Sequence, residues 1–236
     1  MRILIVNPNS TASMTEKIGA AARRFARPDT EILAVNPPGS PPAIQGFHDA
    51  ALCVPHMLDE IERHSSIDAV VIACFDDTGL DAVRSVGAPP AVGIGEAAFH
   101  AAGFLSCRFS VVTTLRRSVP GIEANLLRYG LDRRCARVRS TEIPVLDLER
   151  GDARTYRRLS DEIGRALRDD GAEAIVLGCA GMTDLTDRLS EEHGVPVIDG
   201  VACGTVFAEA LAAAGLRTSR AGGYERPPPH GGDTRS

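Results

Sequence analysis

The sequence predicts an α/β fold made of two similar parallel-sheet α/β lobes related by pseudo-two-fold symmetry, with the active site in the cleft between them. Three observations lead to this prediction. Short apolar segments alternate with longer amphipathic ones, the alternation repeats once along the chain, and 236 residues are enough to bury two small hydrophobic cores. Apolar, β-branched strands separated by helices are typical of parallel sheets that are covered on both faces.

Eight short apolar segments are predicted strands: Ile3–Val6, Glu31–Val35, Ala69–Ala73, Ala91–Ile94, Phe109–Thr113, Arg137–Ser140, Ala174–Gly178 and Val195–Ile198. Five amphipathic stretches are predicted helices: Ser13–Phe25, Ala50–His64, Arg116–Tyr129, Ala153–Asp169 and Val201–Ala214. No predicted strand is followed by the G-x-G-x-x-G of dinucleotide-binding folds, so that kind of site is not indicated. Residues 218–236 are rich in Gly and Pro without an apolar period, and we predict a disordered tail there.

An internal repeat defines the two lobes. The segment Asp68–Cys74 matches Glu173–Cys179 at an offset of 105 residues, and threonines and leucines still coincide beyond the two cysteines. A repeat of this length is a duplicated domain rather than a solenoid unit. We therefore assign residues 1–97 and 200–217 to the first lobe, because the last helix is expected to pack back on it, and residues 98–199 to the second.

Composition excludes several classes of function. The formal net charge is −5 and basic residues are scattered, which argues against a nucleic-acid partner. No apolar run approaches the roughly 20 residues of a membrane span, and no signal peptide is visible, so we expect a cytoplasmic protein with reduced thiols. Six cysteines without C-x-x-C spacing predict free thiols and no metal site. Lys17 is the only lysine, which argues against pyridoxal chemistry, and no cofactor is expected.

Cys74 and Cys179 are the candidate catalytic residues. Each stands at the carboxyl end of an equivalent strand, where open parallel sheets bind their ligands. We expect the following turn and helix N-terminus to lower each thiol pKa. Two sulfurs facing each other across a cleft could remove a proton from one face of a carbon and return one to the other face. The alternative is that both are buried structural cysteines, as most free cysteines are, and their equivalent positions favour the catalytic interpretation.

The other four cysteines are interpreted as structural. Cys53 and Cys135 are predicted on helical or loop surfaces, and Cys107 precedes a strand. Cys203 has no cysteine at its matched position, Ala98.

Residues at the neighbouring strand ends are predicted to bind a small-molecule substrate. They are Asn7, Asn9 and Ser10 after the first strand, Thr113 and Thr114 at the corresponding place in the second lobe, and the turn residues Phe75, Asp76, Ala180 and Gly181. Ser10 could also cap the next helix, and the threonines could simply end a strand. The turns after the cysteines could hold an enolate oxygen through their backbone N–H groups. Phe47, in a Pro-rich loop, is a candidate lid over the cleft or part of a rigid connection.

Six motifs carry a resemblance to a known family: Ile5–Thr11, Val71–Phe75 with Gly79–Ala82, Gly93–Ala97, Arg108–Thr114, Val176–Met182 and Val195–Val201. From Met1 to about Ser219 the sequence resembles the aspartate/glutamate racemase superfamily, and most closely its hydantoin/allantoin racemase branch. The resemblance implies a cofactor-free site with one catalytic cysteine from each lobe, here Cys74 and Cys179. It further implies a racemase of 5-monosubstituted hydantoins, allantoin among them, and a homo-oligomer.

Two departures from the family pattern bear on the substrate. In glutamate racemases the second cysteine is typically followed by Thr-His, whereas Ala180-Gly181 follows here. Family members usually carry Gly and Pro where this chain has Asp76 and Thr78, and a carboxylate turned inward would raise the Cys74 pKa. Two alternatives stay open: another enzyme of the superfamily (an amino-acid racemase, a maleate-type isomerase or a decarboxylase), or a two-lobed small-molecule binder without catalysis.

Overall fold

Two four-stranded parallel sheets form the framework of the computed structural model, which describes residues 1–87, 89–148 and 152–225. The first sheet has the order β2-β1-β3-β4, with β1 Arg2–Val6, β2 Glu31–Val35, β3 Ala69–Ile72 and β4 Ala91–Gly93. The second has the order β6-β5-β7-β8, with β5 Phe109–Thr113, β6 Cys135–Ser140, β7 Ala174–Gly178 and β8 Val197–Ile198. The two orders are the same when each sheet is counted from its own first strand, as a duplicated α/β lobe requires. The predicted fold class is confirmed.

The helices of the described ranges are α1 Ala12–Phe25, α2 Phe47–Glu62, α3 Leu80–Val86, α4 Ile94–Leu105, α5 Val119–Arg128, α6 Val145–Leu148, α7 Ala153–Asp169, α8 Thr186–His193 and α9 Gly200–Ala213. Within the same ranges, single 3₁₀ turns lie at Arg116–Ser118, Ala180–Met182 and Gly222–Tyr224. In these parts of the chain no helix combines the length and apolar character needed to cross a bilayer.

The inner faces of the two sheets share one hydrophobic core. It contains residues of β1 and β3 from the first sheet and of β5 and β7 from the second, with α4 and α9 between them. Phe99 of α4 lies at the centre, with its ring 5.3 Å from that of Phe75 and 6.2 Å from that of Phe109. The outer face of each sheet has its own smaller cluster, against α2 and α3 in one case and α7 and α8 in the other. The lobes are therefore packed together along the strands whose ends form the site.

The predicted boundary between residues 97 and 98 falls inside α4, which continues to Leu105. The sequence shows no amphipathic period for this helix, because Ile94–Leu105 is apolar on nearly all sides, as expected of a helix buried between two sheets. The final helix α9 contacts α1, α4 and the strands β1, β3 and β4 of the first sheet, and it also touches β7.

Part of the predicted disordered tail is ordered. The Thr218 hydroxyl donates to the Pro89 carbonyl at 2.9 Å, and Arg220 donates to the Ser85 carbonyl at 3.0 Å. The Tyr224 hydroxyl donates to the Asp81 carboxylate at 2.9 Å. The prediction was wrong for residues 218–225 because a segment without an apolar period is held here by polar contacts with α3. Residues 226–236 lie outside the described residues.

Candidate active site

Cys74 and Cys179 line one cleft at the carboxyl ends of the strands. The cleft encloses about 420 Å³ of space, part of it open to solvent. Cys74 comes two residues after β3, and Cys179 directly follows β7. Of the other predicted site residues, the structure brings into this cleft Asn7, Asn9, Phe75, Asp76, Thr114 and Ala180.

The two cysteines begin turns of the same construction. The N–H of Gly181 donates to the Cys179 sulfur at 3.4 Å, and the N–H of Asp76, at the matched position of the repeat, faces the Cys74 sulfur. The next residue of each turn donates its N–H to the cysteine carbonyl, at 3.0 Å in the first lobe and 3.1 Å in the second. All four of these N–H groups are already directed at a cysteine sulfur or carbonyl. The expectation that they bind an enolate oxygen is therefore wrong for these four groups.

The hydroxyls of Thr114 and Ser118 are better placed as donors to a ligand. Both residues line the cleft and are buried, and neither hydroxyl bonds to another residue within the described ranges. Sequence reasoning missed Ser118. A serine before Val119-Pro120 is the usual signal of a helix N-cap, and the structure shows no capping bond from its side chain.

Both thiols are less acidic than expected. Burial raises the pKa of Cys179 to about 11, against the opposing effect of the Gly181 N–H. Burial also raises the pKa of Cys74 well above its usual value, and the Asp76 carboxylate raises it further. The predicted lowering by a helix N-terminus fails because α3 begins only at Leu80, and Cys179 is followed by a single 3₁₀ turn. The field of a helix dipole acts only close to a helix end.

Asp76 contributes a negative charge to the lining of the cleft. Burial raises the pKa of its carboxyl group to about 6, so it is mostly ionised at neutral pH. Its carbonyl accepts a hydrogen bond from Asn125 Nδ2 of the second lobe at 2.8 Å, whereas its carboxylate makes none with any residue of the described ranges. The carboxylate can therefore accept a hydrogen bond from an N–H group of a ligand.

Asp77 holds the first turn to the start of α4 and to the second lobe. Its carboxylate accepts the N–H groups of Gly95 at 2.9 Å and Glu96 at 2.7 Å, at the start of α4, and the Tyr129 hydroxyl at 2.8 Å. Asp77 adopts a left-handed conformation, with φ of 48°, which aspartate tolerates better than most residues. A Cβ at Gly93 would lie 2.1 Å from the carboxylate, so this position must be glycine for the arrangement to form. Glu96 provides a negative charge in the first turn of α4.

The second lobe uses another carboxylate for the same purpose. Asp199 accepts the N–H of Val201 at 2.8 Å at the start of α9, and the Thr183 hydroxyl donates to the same carboxylate. In the first lobe the matched threonine, Thr78, has its hydroxyl 3.6 Å from the Cys74 sulfur instead. The polar surroundings of the two sulfurs therefore differ although their turns are alike.

Lys17 links the two lobes beside Cys179. Its ammonium group donates to the Gly181 carbonyl at 2.7 Å and pairs with Asp184, also at 2.7 Å. The positive charge lowers the Cys179 pKa and opposes part of the effect of burial. Sequence reasoning gave Lys17 no role, because nothing in the pattern of α1 shows that this side chain reaches the other lobe.

Four predicted site residues do not line the cleft. Thr113 is buried and donates its hydroxyl to the Gly178 carbonyl at 2.8 Å, tying β5 to β7. Gly181 and Ser10 are not among the residues that line the cleft. The expected cap by Ser10 is not formed, since Thr11 directly precedes α1 and its hydroxyl donates to the Pro42 carbonyl. Phe47 begins α2, is 72% exposed, and lines a neighbouring pocket instead of covering the cleft.

Asn7 and Asn9 shape the first strand end. Asn7 Nδ2 donates to the Asn9 Oδ1 at 2.9 Å and to the Thr15 hydroxyl at 3.0 Å. Asn9 Oδ1 also accepts the Thr11 N–H at 2.9 Å. Both side chains are buried, so their main role is to hold the loop. A ligand can bind only the amide hydrogens and oxygen lone pairs that are not used in these bonds.

The six cysteines of the chain are free thiols. Cys53 lies in α2 and is fully buried, so its predicted surface position is wrong, whereas Cys107 is exposed before β5. Cys135 begins β6 and Cys203 lies in α9. Across the described ranges, no group of three or more His, Cys, Asp or Glu side chains is arranged to hold a metal ion.

Comparisons with known proteins extend over both lobes. The model of the Asp/Glu/hydantoin racemase family matches residues 3–208. The hydantoin racemases of Rhizobium meliloti and Pseudomonas sp. (strain NS671) are 49% and 43% identical to this chain, covering 96% of it and 95% and 92% of their own lengths. The allantoin racemase structure from Klebsiella pneumoniae superposes with a TM-score of 0.95 at 42% identity, over 100% of this chain and 97% of that one. The similarity therefore includes both sides of the cleft.

Proposed function

Since the chain belongs to the Asp/Glu/hydantoin racemase family and is a racemase, we propose that it inverts C5 of 5-monosubstituted hydantoins, allantoin among them. The two bases are Cys74 and Cys179. The observation that carries this proposal is that one cysteine from each lobe lines the same small cleft. The substrates named for the similar proteins, hydantoins and allantoin, are rings whose C5–H is acidified by a neighbouring carbonyl.

The proposed reaction balances with two thiols. The thiolate of one cysteine removes the C5 proton, and the electron pair moves onto the adjacent carbonyl oxygen to give an enolate. The thiol of the other cysteine then donates its proton to the opposite face of C5, and the enolate returns to a carbonyl. After turnover the first sulfur is a thiol and the second a thiolate, so the site is ready for the opposite enantiomer.

The lining supports an uncharged ring with polar edges. The hydroxyls of Thr114 and Ser118 can donate to the enolate oxygen, where preorganised donors stabilise developing charge. The Asp76 carboxylate can accept a ring N–H. Burial raises both thiol pKa values, which makes each thiolate a stronger base towards a weakly acidic C–H once it has formed.

A polarimetric experiment tests the proposed function. The purified protein is incubated separately with single enantiomers of allantoin, 5-methylhydantoin and 5-benzylhydantoin, and with L-glutamate and L-aspartate. We expect the optical rotation to decay to zero for at least one hydantoin and to stay constant for both amino acids. Decay with the amino acids alone would make the protein an amino-acid racemase, and saturable hydantoin binding without decay would make it a binder.

The Asp76→Asn variant is expected to shift the pH dependence of kcat/KM. The Asp76 charge raises the pKa of both thiols, so the unaltered enzyme should gain activity as the pH rises towards and beyond the usual thiol range. Removing the charge stabilises the thiolate, and the rising part of the profile should move to lower pH. The measurement is kcat/KM from pH 6 to 10, with Asp187→Asn on exposed α8 as the control. A profile that stays in place or moves to higher pH contradicts this role.

The homo-oligomeric state and the cytoplasmic location stay predictions. Exposed apolar side chains on α4 and α5 support the first: Phe104 is 78%, Leu105 62% and Leu127 67% exposed. Light scattering coupled to size-exclusion chromatography measures the mass in solution, and the mass of one chain would contradict the homo-oligomer.

A further inference from the structure

A second pocket adjoins the cysteine cleft, between α2 of the first lobe and α5 of the second. Its volume is about 800 Å³, again partly open to solvent, and Asp76 and Ser118 line both it and the cleft. We call it the α2–α5 pocket. Its first wall is formed by Phe47, Ala50 and Val54, whose spacing places them on one face of α2. This wall is apolar.

The second wall is formed by one face of α5. Gly121, Ala124 and Asn125 line it, and their spacing of three and four residues again places them together. A Cβ at Gly121 would have the Phe47 ring as its nearest neighbour, at 3.7 Å. The two helical faces therefore face each other, and the small residues Ala50, Gly121 and Ala124 leave space between them.

Hydrogen bonds between the lobes hold the two walls at a fixed separation. Arg117 donates to Gln45 Oε1 at 2.6 Å, just before α2, and Asn125 donates to the Asp76 carbonyl at 2.8 Å. Arg128 at the end of α5 pairs with Asp81 of α3. These contacts tie together the elements that surround the pocket, and the shared residues Asp76 and Ser118 connect it with the cleft.

We propose that the α2–α5 pocket receives the C5 substituent of the substrate and that Gly121 and Ala50 limit its size. This assignment rests on the proposed function. A ring held between the two sulfurs can direct its substituent past Asp76 and Ser118, which lie at the junction of the two spaces. The apolar side chains of α2 suit an alkyl, thioalkyl or aryl group, because burying apolar surface is favourable there.

A racemase also needs room at this position. The two enantiomers present C5–H to opposite sulfurs, so their substituents leave the ring at different angles. A pocket larger than the cleft itself, and partly open to solvent, can hold the substituent in both directions of the reaction.

Filling the pocket from Gly121 tests the proposal. The position lies in a helix, and an added Cβ meets only an ordinary contact, so Gly121→Leu is compatible with the backbone. The ratio of kcat/KM for 5-benzylhydantoin to that for 5-methylhydantoin should fall by about tenfold or more, the usual range for steric discrimination in an apolar pocket. Gly121→Ala should lower the ratio by less than Gly121→Leu.

Two further variants make the test decisive. Ala50→Leu fills the pocket from the other wall and should lower the same ratio. It replaces Gly121→Leu in the test if circular dichroism shows that Gly121→Leu does not fold. Gly164→Leu makes the same substitution in α7, away from both cavities, and should leave the ratio unchanged. An unchanged ratio, or equal losses for both hydantoins, in folded Gly121→Leu and Ala50→Leu would overturn the pocket assignment alone. If the unaltered chain racemises allantoin but neither the methyl nor the benzyl compound, the pocket assignment is overturned and the proposed function stands. If it racemises none of the three hydantoins, the proposed function fails and this assignment fails with it.

Discussion

Cys74→Ser and Cys179→Ser are each expected to abolish racemisation, lowering kcat/KM by about a thousandfold or more. A general base or acid contributes roughly 10²–10⁴ in rate, and a serine hydroxyl ionises far less readily than a thiol. Each variant keeps one working sulfur, so the two proton transfers no longer both occur. Loss of net inversion is therefore the expected result for both substitutions.

Solvent deuterium exchange separates the two sulfurs. In D₂O each single variant should still exchange the C5 proton of the enantiomer that faces its remaining cysteine, and the two variants should prefer opposite enantiomers. Cys203→Ser, in α9, is the matched control and should racemise normally, since that cysteine does not line the cleft. Full racemase activity in either Cys74→Ser or Cys179→Ser would exclude the two-base mechanism.

Asp77→Ala is expected to lower the free energy of unfolding by about 3–5 kcal/mol. The carboxylate accepts two N–H groups at the start of α4 and the Tyr129 hydroxyl, and Asp77 is buried. A buried donor left without an acceptor costs about 1–3 kcal/mol, and three are left here. Asp77→Asn keeps the shape and one acceptor oxygen, so its loss should be smaller.

Urea denaturation measures this difference. Asp187→Ala is the control, because it removes an exposed carboxylate paired with Arg24, and surface pairs contribute about 0–1 kcal/mol. If Asp77→Ala costs no more than Asp187→Ala, the hydrogen bonds of Asp77 do not hold the turn as described.

The strands were predictable because burial on both faces leaves continuous apolar runs, as in Ile3–Val6. β8 is shorter than the predicted Val195–Ile198, since Pro196 has no N–H for a sheet. The short helices α3, α6 and α8 were not predicted, because they contain too few residues to show a period. The boundary in α4 was missed because a helix buried between sheets is apolar all round.

The site was predictable to the extent that the repeat determines it. The offset of 105 residues selected Cys74 and Cys179, which line one cleft. Features that depend on how the lobes meet left no signal in the sequence. Lys17 reaches Gly181 across 164 positions of the chain, and the acidity of each thiol follows from its burial and from where the next helix begins, which the repeat does not show.

The mismatch between Asp76 and Gly181 at one position of the repeat has a kinetic consequence. Enantiomers have equal free energies in water, so the equilibrium constant is one, and the Haldane relation makes kcat/KM the same in both directions. Unequal surroundings of the two sulfurs cannot favour either enantiomer at equilibrium. They can only make kcat and KM differ between the enantiomers by the same factor, which leaves kcat/KM equal. We expect one enantiomer to saturate the enzyme at a lower concentration and to turn over more slowly than its mirror image.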